Sequence, residues 1–314
     1  MFDLGLFSHD YESAGPGIAK NAPKKKGIAL FFDIFFRKFW LMIGLNMLFF
    51  LVTIPMWATL PVMYYVSDPT VSLVIVAVLL IASAVNLGPA MAGISKVIRL
   101  FLLGRHSFIA RDFFKGFREN YLKASLLGII DVVAVLSAYA GYVEYPYLAQ
   151  LYDSKIFYVP MVISFSVAIV ILMMNYYIFL MLTATDLSLK NLIKNSFALA
   201  FVALKQNVIT TVLLVLVGSF YVVLFIYMMP LFMLMIPLFS VVPMWLIVCF
   251  NSYPVIQKYV ITPFYENRGE VNPELTDGSE EIEEETLFED MGGKEKSIEK
   301  PVEKRKKGKG RHIS

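Results

Sequence analysis

The sequence predicts an all-α, polytopic membrane protein with about six transmembrane helices, three interfacial amphipathic helices and a disordered C-terminal tail. Three observations carry that reading. Of 314 residues, 58% are hydrophobic and 17% charged, with a mean hydropathy of +0.65, whereas a soluble domain carries about a quarter charged residues. Six runs are apolar over the roughly 20 residues that a helix needs to cross a bilayer core. Lys and Arg gather almost entirely on one side of those runs, as cytoplasmic loops require.

Taken in order, the first 23 residues are polar and rich in Gly and Pro, with no early apolar core. No cleavable signal peptide is therefore expected. Residues 1–27 read as a polar N-terminal segment, 28–265 as the six-span membrane domain, and 266–314 as a cytoplasmic tail. The spans lie near 40–60, 71–92, 124–143, 157–182, 207–228 and 230–252. Pro230, Pro237 and Pro243 predict a kink in the outer half of the sixth, with freed carbonyls satisfied by neighbouring helices.

The connections on the basic side are patterned as helices. In "IARDFFKGFRENYLK" (109–123), Ile109, Phe113, Phe114, Phe117 and Tyr121 share a face opposite Arg111, Lys115, Arg118 and Glu119. Such a helix can lie in the headgroup layer with its cations toward anionic lipid. "GIALFFDIFFRKFW" repeats the design before the first span, and "NLIKNSFALAFVALKQN" is a weaker copy before the fifth. The chain thus reads as three units, each an interfacial helix followed by a membrane hairpin.

Orientation follows from 18 Lys and Arg before residue 266, of which only Lys155 falls on the opposite side. Both termini are expected in the cytoplasm of a cell-membrane protein. Lys24, Lys25, Lys26, Arg37, Lys38, Lys96, Arg99, Arg111, Lys115 and Arg118 form the expected membrane-surface set. Their partners would be the bilayer and its anionic lipids, with no nucleic acid involved. In the tail, nine acids occupy Glu274–Asp290 and six bases the closing "KRKKGKGR". It reads as a solubilising extension, or as a segment whose basic end holds anionic lipid or whose acidic block covers the basic helices.

At the inner end of the second span, "LGPAMAGISKVIR" (87–99) places Gly88, Pro89, Ala92 and Gly93 before Lys96 and Arg99. The small-x-x-x-small spacing of Gly88 and Ala92 suits close helix packing where no hydrophobic effect drives association, so the stretch reads as a packing and exit element. Together, "GPGIAKNAPKKKGIALFFDIFFRKFWLMIGLN" (15–46) and "LGPAMAGISKVIRLF" (87–101) resemble the two signature blocks of the YesL-like family. This is a bacterial integral-membrane family built on a domain of unknown function. The resemblance covers roughly residues 15–260 and implies several spans, with genes often beside sugar-uptake ABC transporters and their regulators. It supplies no catalytic or ligand residues. The charged tail and the bulky second half depart from the family's pattern.

Within the spans, Asp131 stands seven positions past Ala124, about 10 Å in from the membrane edge. Facing lipid it would be costly, so it is expected to face protein or water. Asn46, Asn86, Asn175 and Asn251 fall at comparable depth. Two readings are open for these five residues: hydrogen bonds between helices, or an inward-facing polar layer centred on Asp131. Cys249 reads as a small apolar filler. His9, His106 and His312 lack metal-ligand spacing, and no phosphate loop or nucleophile elbow is present, so no catalytic residue, metal or cofactor is expected. The functional expectation is a non-enzymatic accessory or regulatory partner of permease subunits of a sugar ABC transporter. The alternative is a small transporter or channel whose path passes Asp131.

Overall fold

The computed structural model describes residues 25–274. Lys24 with the rest of the N-terminal segment, and the charged tail beyond 274, lie outside them. Among the described residues all regular structure is helical.

The chain opens with α1 (Gly27–Arg37), a unit by itself. Its Asp33 accepts from the Lys25 ammonium and faces Arg37 one turn on, at 3.5 Å. The Lys25 hydrogen bond, with the positive charge of Lys25 and Arg37, holds the Asp33 carboxyl below its ordinary value.

The second unit begins at Lys38 and contains every membrane-spanning segment. The expected first span is α2 (Phe39–Val52) and α3 (Ile54–Tyr65), bent by 56° at Thr53. Pro55 causes the break, because it has no N–H for the Leu51 carbonyl and its ring crowds that oxygen. Thr53 covers part of the gap by donating to the Phe49 carbonyl at 2.9 Å and to that of Phe50 at 3.2 Å. Continuous spans follow as α4 (Pro69–Leu102), α6 (Tyr121–Leu151), α7 (Tyr158–Ala184) and α9 (Leu204–Tyr227). The sixth is again a bent pair, α10 (Met229–Phe239) and α11 (Val241–Ile256), turning by 52° at Ser240 between Pro237 and Pro243. Among the described residues four unbroken helices are long and apolar enough to cross a membrane, six if each bent pair is one span.

Short helices stand at the basic ends: α5 (Ile109–Glu119) before α6, and α8 (Leu189–Val202) before α9. Each start is capped by a side chain placed for it. The Asp112 carboxylate reaches back to accept from the Phe108 N–H at 2.8 Å and the Ser107 hydroxyl at 3.1 Å. Ser188 accepts from the Asn191 N–H at 3.4 Å, and Asp68 starts α4 by accepting from Thr70 and Val71. A five-residue π-turn (Gln257–Ile261) and α12 (Thr262–Glu266) close the described chain.

Burial concentrates at the basic ends. There α4 buries Gly88–Gly93 apart from Met91, together with Ile94, Ser95, Val97, Ile98 and Phe101; α7 buries Tyr176–Leu182. The opposite halves keep large apolar side chains outward, among them Leu73, Val78, Val135, Leu216 and Phe220. That is the surface a span presents to acyl chains.

Helix-to-helix contact at the basic end is set by glycine. A Cβ on Gly88 would stand 1.8 Å from the Ala124 carbonyl oxygen, and one on Gly128 would stand 2.6 Å from the Gly88 nitrogen. Thus α4 and α6 touch backbone to backbone. One turn on, a Cβ on Gly93 would meet the Phe113 ring at 2.8 Å, and one on Gly116 would lie 3.1 Å from the Ala92 oxygen. The apolar face of α5, expected to rest in the headgroups, therefore seats Phe113 on protein, fully buried in the hollow over Gly93. Arg111, Lys115 and Arg118 stay exposed on its other side.

Gly88→Ala or Gly128→Ala should abolish the folded, monodisperse species on gel filtration in detergent, since backbone opposes the new methyl. Gly218→Ala, in the open middle of α9, should instead hold or raise the melting temperature, by up to about 1 kcal/mol of helix propensity.

Candidate functional site

The five polar residues expected within the spans do not bond one another as a set. Asn46, fully buried on α2, joins the two halves of the broken span. Its Nδ2 donates to the Ile236 and Pro237 carbonyls, both at 2.9 Å, and its Oδ1 accepts from the N–H groups of Val241 at 2.9 Å and Val242 at 3.0 Å. All four hydrogen-bonding positions of the amide are used. Pro243 cannot bond the Phe239 carbonyl, and that oxygen accepts instead from the Tyr221 hydroxyl on α9. The groups freed around Ser240 thus draw partners from two neighbouring helices.

Asn251 on α11 donates to Thr210 Oγ1 on α9 at 3.1 Å. Asn86 on α4 is half-buried. Asn175 on α7 donates to Asp131 Oδ1 on α6 at 2.7 Å, the one pair among the five that meets directly.

Asp131 also lines a cleft of about 270 Å³ with Thr53, Ser83, Leu87, Val132 and Leu136. The two hydroxyls there are turned to their own helices. Thr53 bonds Phe49 and Phe50, and Ser83 donates to the Leu79 carbonyl at 2.7 Å. What remains is an apolar cleft with a single carboxylate, oriented by one amide. Such a group can hold a proton or a cation, and it stands without a second acid or base in the cleft lining.

Two polar residues absent from the expected set are equally structural. Asn207, buried at the start of α9, donates to the Ala200 carbonyl at 2.8 Å and to that of Leu199 at 3.4 Å, and accepts from the Tyr177 hydroxyl. It thereby covers the α8–α9 junction and ties it to α7. It stands at the edge of an apolar run, where sequence gives no signal, and the junction at Ala203 gives it its role. Ser95 accepts from Trp245 Nε1 at 2.8 Å, joining α4 to α11.

The basic residues divide by environment. Lys38 lies over the Phe101 ring at 5.5 Å, and Arg111 over Phe108 at 4.6 Å. Lys96 is ion-paired with Glu119, which Lys115 also approaches at 3.8 Å. Lys123 donates to the Leu187 carbonyl at 3.1 Å. Arg99 departs most from the expected surface role. Its side chain is 19% exposed, and it donates to the Thr183 carbonyl at 3.1 Å, to the Tyr253 hydroxyl at 3.4 Å and to the Glu274 carboxylate.

Residues 42–142 match the family model described as "Protein of unknown function, DUF624". The matched stretch runs from α2 into α6, less than half of the chain. It contains Asn46, Arg99, Asp112, Asp131 and the four glycines at the α4 contacts. No curated protein and no solved structure matches the chain.

Replacing Asn46 by Leu strands three backbone groups, since the Ser240 hydroxyl still donates to the Ile236 carbonyl, at roughly 1 kcal/mol or more each. Replacing Asn251 by Leu removes one ordinary interhelix bond, worth about 0.6 kcal/mol. Thermal unfolding in detergent should therefore show a loss several times larger for Asn46→Leu; equal losses would refute the role assigned to Asn46.

Proposed function

We propose that this protein is a non-enzymatic membrane subunit that assists or regulates a carbohydrate uptake system of the ABC type. Its basic ends would face the cytoplasm of a bacterial cell. The observation that supports this most is the use made of the polar groups inside the spans. Asn46, Asn175, Asn207 and Asn251 each bond a neighbouring helix or helix junction, as scaffold residues do. Polar groups lining a transport path would instead converge on one cavity.

The exposed cations of α5 and α8, Arg111, Lys115, Arg118, Lys190 and Lys194, offer a positive face at the basic end. It suits anionic headgroups or the acidic surface of a permease subunit. The carbohydrate class rests on the resemblance of residues 15–46 and 87–101 to the YesL-like family, whose genes often accompany sugar-uptake transporters. The match to a family of unknown function over 42–142 agrees with that resemblance in kind.

A second reading, a small transporter, rests on the cleft that holds Asp131. The two separate cleanly. Crosslinking and purification from native membranes should recover permease components, and the isolated protein in proteoliposomes should move no sugar, with Asp131→Asn leaving the recovery unchanged. Solute flux by the isolated protein that Asp131→Asn abolishes, with no partner recovered, would overturn the accessory reading in favour of the second.

A further inference from the structure

Beyond α12 the chain turns back on itself. Gly269 takes a left-handed φ of +67°, and the Glu270 N–H bonds the Tyr265 carbonyl at 3.0 Å. The strap that follows, residues 270–274, has no regular structure and returns Glu274 to the basic ends of α4 and α11. There the Glu274 carboxylate, 9% exposed, enters a socket of three donors. Arg99 pairs with Oε1, while the Tyr253 hydroxyl and the Gln257 amide both donate to Oε2.

The donors stand on firm elements and brace one another. Arg99 is fixed by the Thr183 carbonyl on α7, and Gln257 Nε2 also donates to the Tyr253 hydroxyl at 2.8 Å. The occupant, by contrast, sits on an irregular strap, where Asn272 also reaches the same elements. Asn272 accepts from the Glu274 N–H at 3.0 Å and donates to Gln257 Oε1 at 2.9 Å. Val271, just before Asn272, is 76% exposed.

This asymmetry decides the chemistry. If the strap lifts, a mostly buried guanidinium with two further donors loses its counter-charge while its geometry persists. Stranding one member of such a pair is strongly unfavourable. Opening is therefore coupled to the arrival of another anion. A guanidinium fork beside a hydroxyl and an amide matches the oxygens of phosphate as well as those of carboxylate. The socket lies at the basic end of α4, beside the cations that flank that helix.

We propose that Arg99, Tyr253 and Gln257 form a phosphate-binding site in which Glu274 is a built-in, displaceable occupant, so that a phosphate group from a lipid or from solution exchanges with the strap.

A cysteine at Val271 carrying an environment-sensitive fluorophore reports the strap in full-length protein, because the native Cys249 is buried. In zwitterionic nanodiscs, titration with inorganic phosphate tests the dissolved source. Nanodiscs containing phosphatidic acid, without added phosphate, test the headgroup. A strap signal in either arm supports the site and names its source. Glu274→Gln removes the competing charge and should tighten apparent phosphate or headgroup affinity about tenfold or more, as expected when the open form ceases to be a minor species. Arg99→Gln should abolish the response, and Tyr253→Phe should weaken it if Arg99→Gln fails to fold. No response to either source in both wild type and Glu274→Gln would overturn the proposal. So would equal affinity in the two proteins, because Glu274 would then not occupy the binding site.

Discussion

A backbone that breaks inside a lipid-facing span releases N–H and C=O groups that water cannot reach, and each needs a partner from the protein. This chain breaks two of its spans: at Thr53 the break is partly covered from its own helix, and at Ser240 partners come from neighbouring helices. Asn46 fills the gap at Ser240 with both of its amide donors and both of its lone pairs. Tyr221 takes the carbonyl that Pro243 leaves free, and Asn207 does the same for the junction between α8 and α9. Because each of these side chains comes from a different helix, or bridges two, satisfying the backbone also fixes which helices are neighbours.

That requirement explains why so few polar groups are left for chemistry. Of the asparagines that a hydropathy reading singles out as foreign to a membrane, Asn46 holds a kinked span together, while Asn175 and Asn251 bond neighbouring helices. Asp131 is the exception. It has Asn175 to orient it and an apolar cleft beside it, yet no second acid or base among the cleft's lining residues. A lone carboxylate in such a place is enough to bias a helix contact by protonation, and it is slender equipment for moving a polar solute.

Much of the architecture could be read before any coordinates. Apolar runs of sufficient length located the four unbroken helices and the two bent pairs, and the prolines of the sixth announced its kink. Small residues from Gly88 to Gly93 stand on the α4 surface that touches α6 and α5. The break at Thr53 was not read, although Pro55 two positions on carries the same signal as the prolines of the sixth span. The apolar face of α5 was assigned to lipid because periodicity gives the direction of a face and not what lies against it. Asn46 and Asp131 were visible as buried polar residues, but their partners lie 190 and 44 positions away in sequence. Arg99 was grouped with surface cations for the same reason. Only the fold brings Tyr253 and Glu274 to it.

The Gly88–Gly128 contact has a mechanical side. Two rods that meet main chain to main chain at one point cannot slide past each other, because the seat admits no side chain that could ride over. They can still open and close like shears about that fulcrum. The outer arms of α4 and α6, which carry their apolar side chains outward, would sweep the widest arc, while the inner arms stay nearly still. Lateral pressure in the bilayer would thus reach the basic end of this protein as a small rotation rather than a displacement.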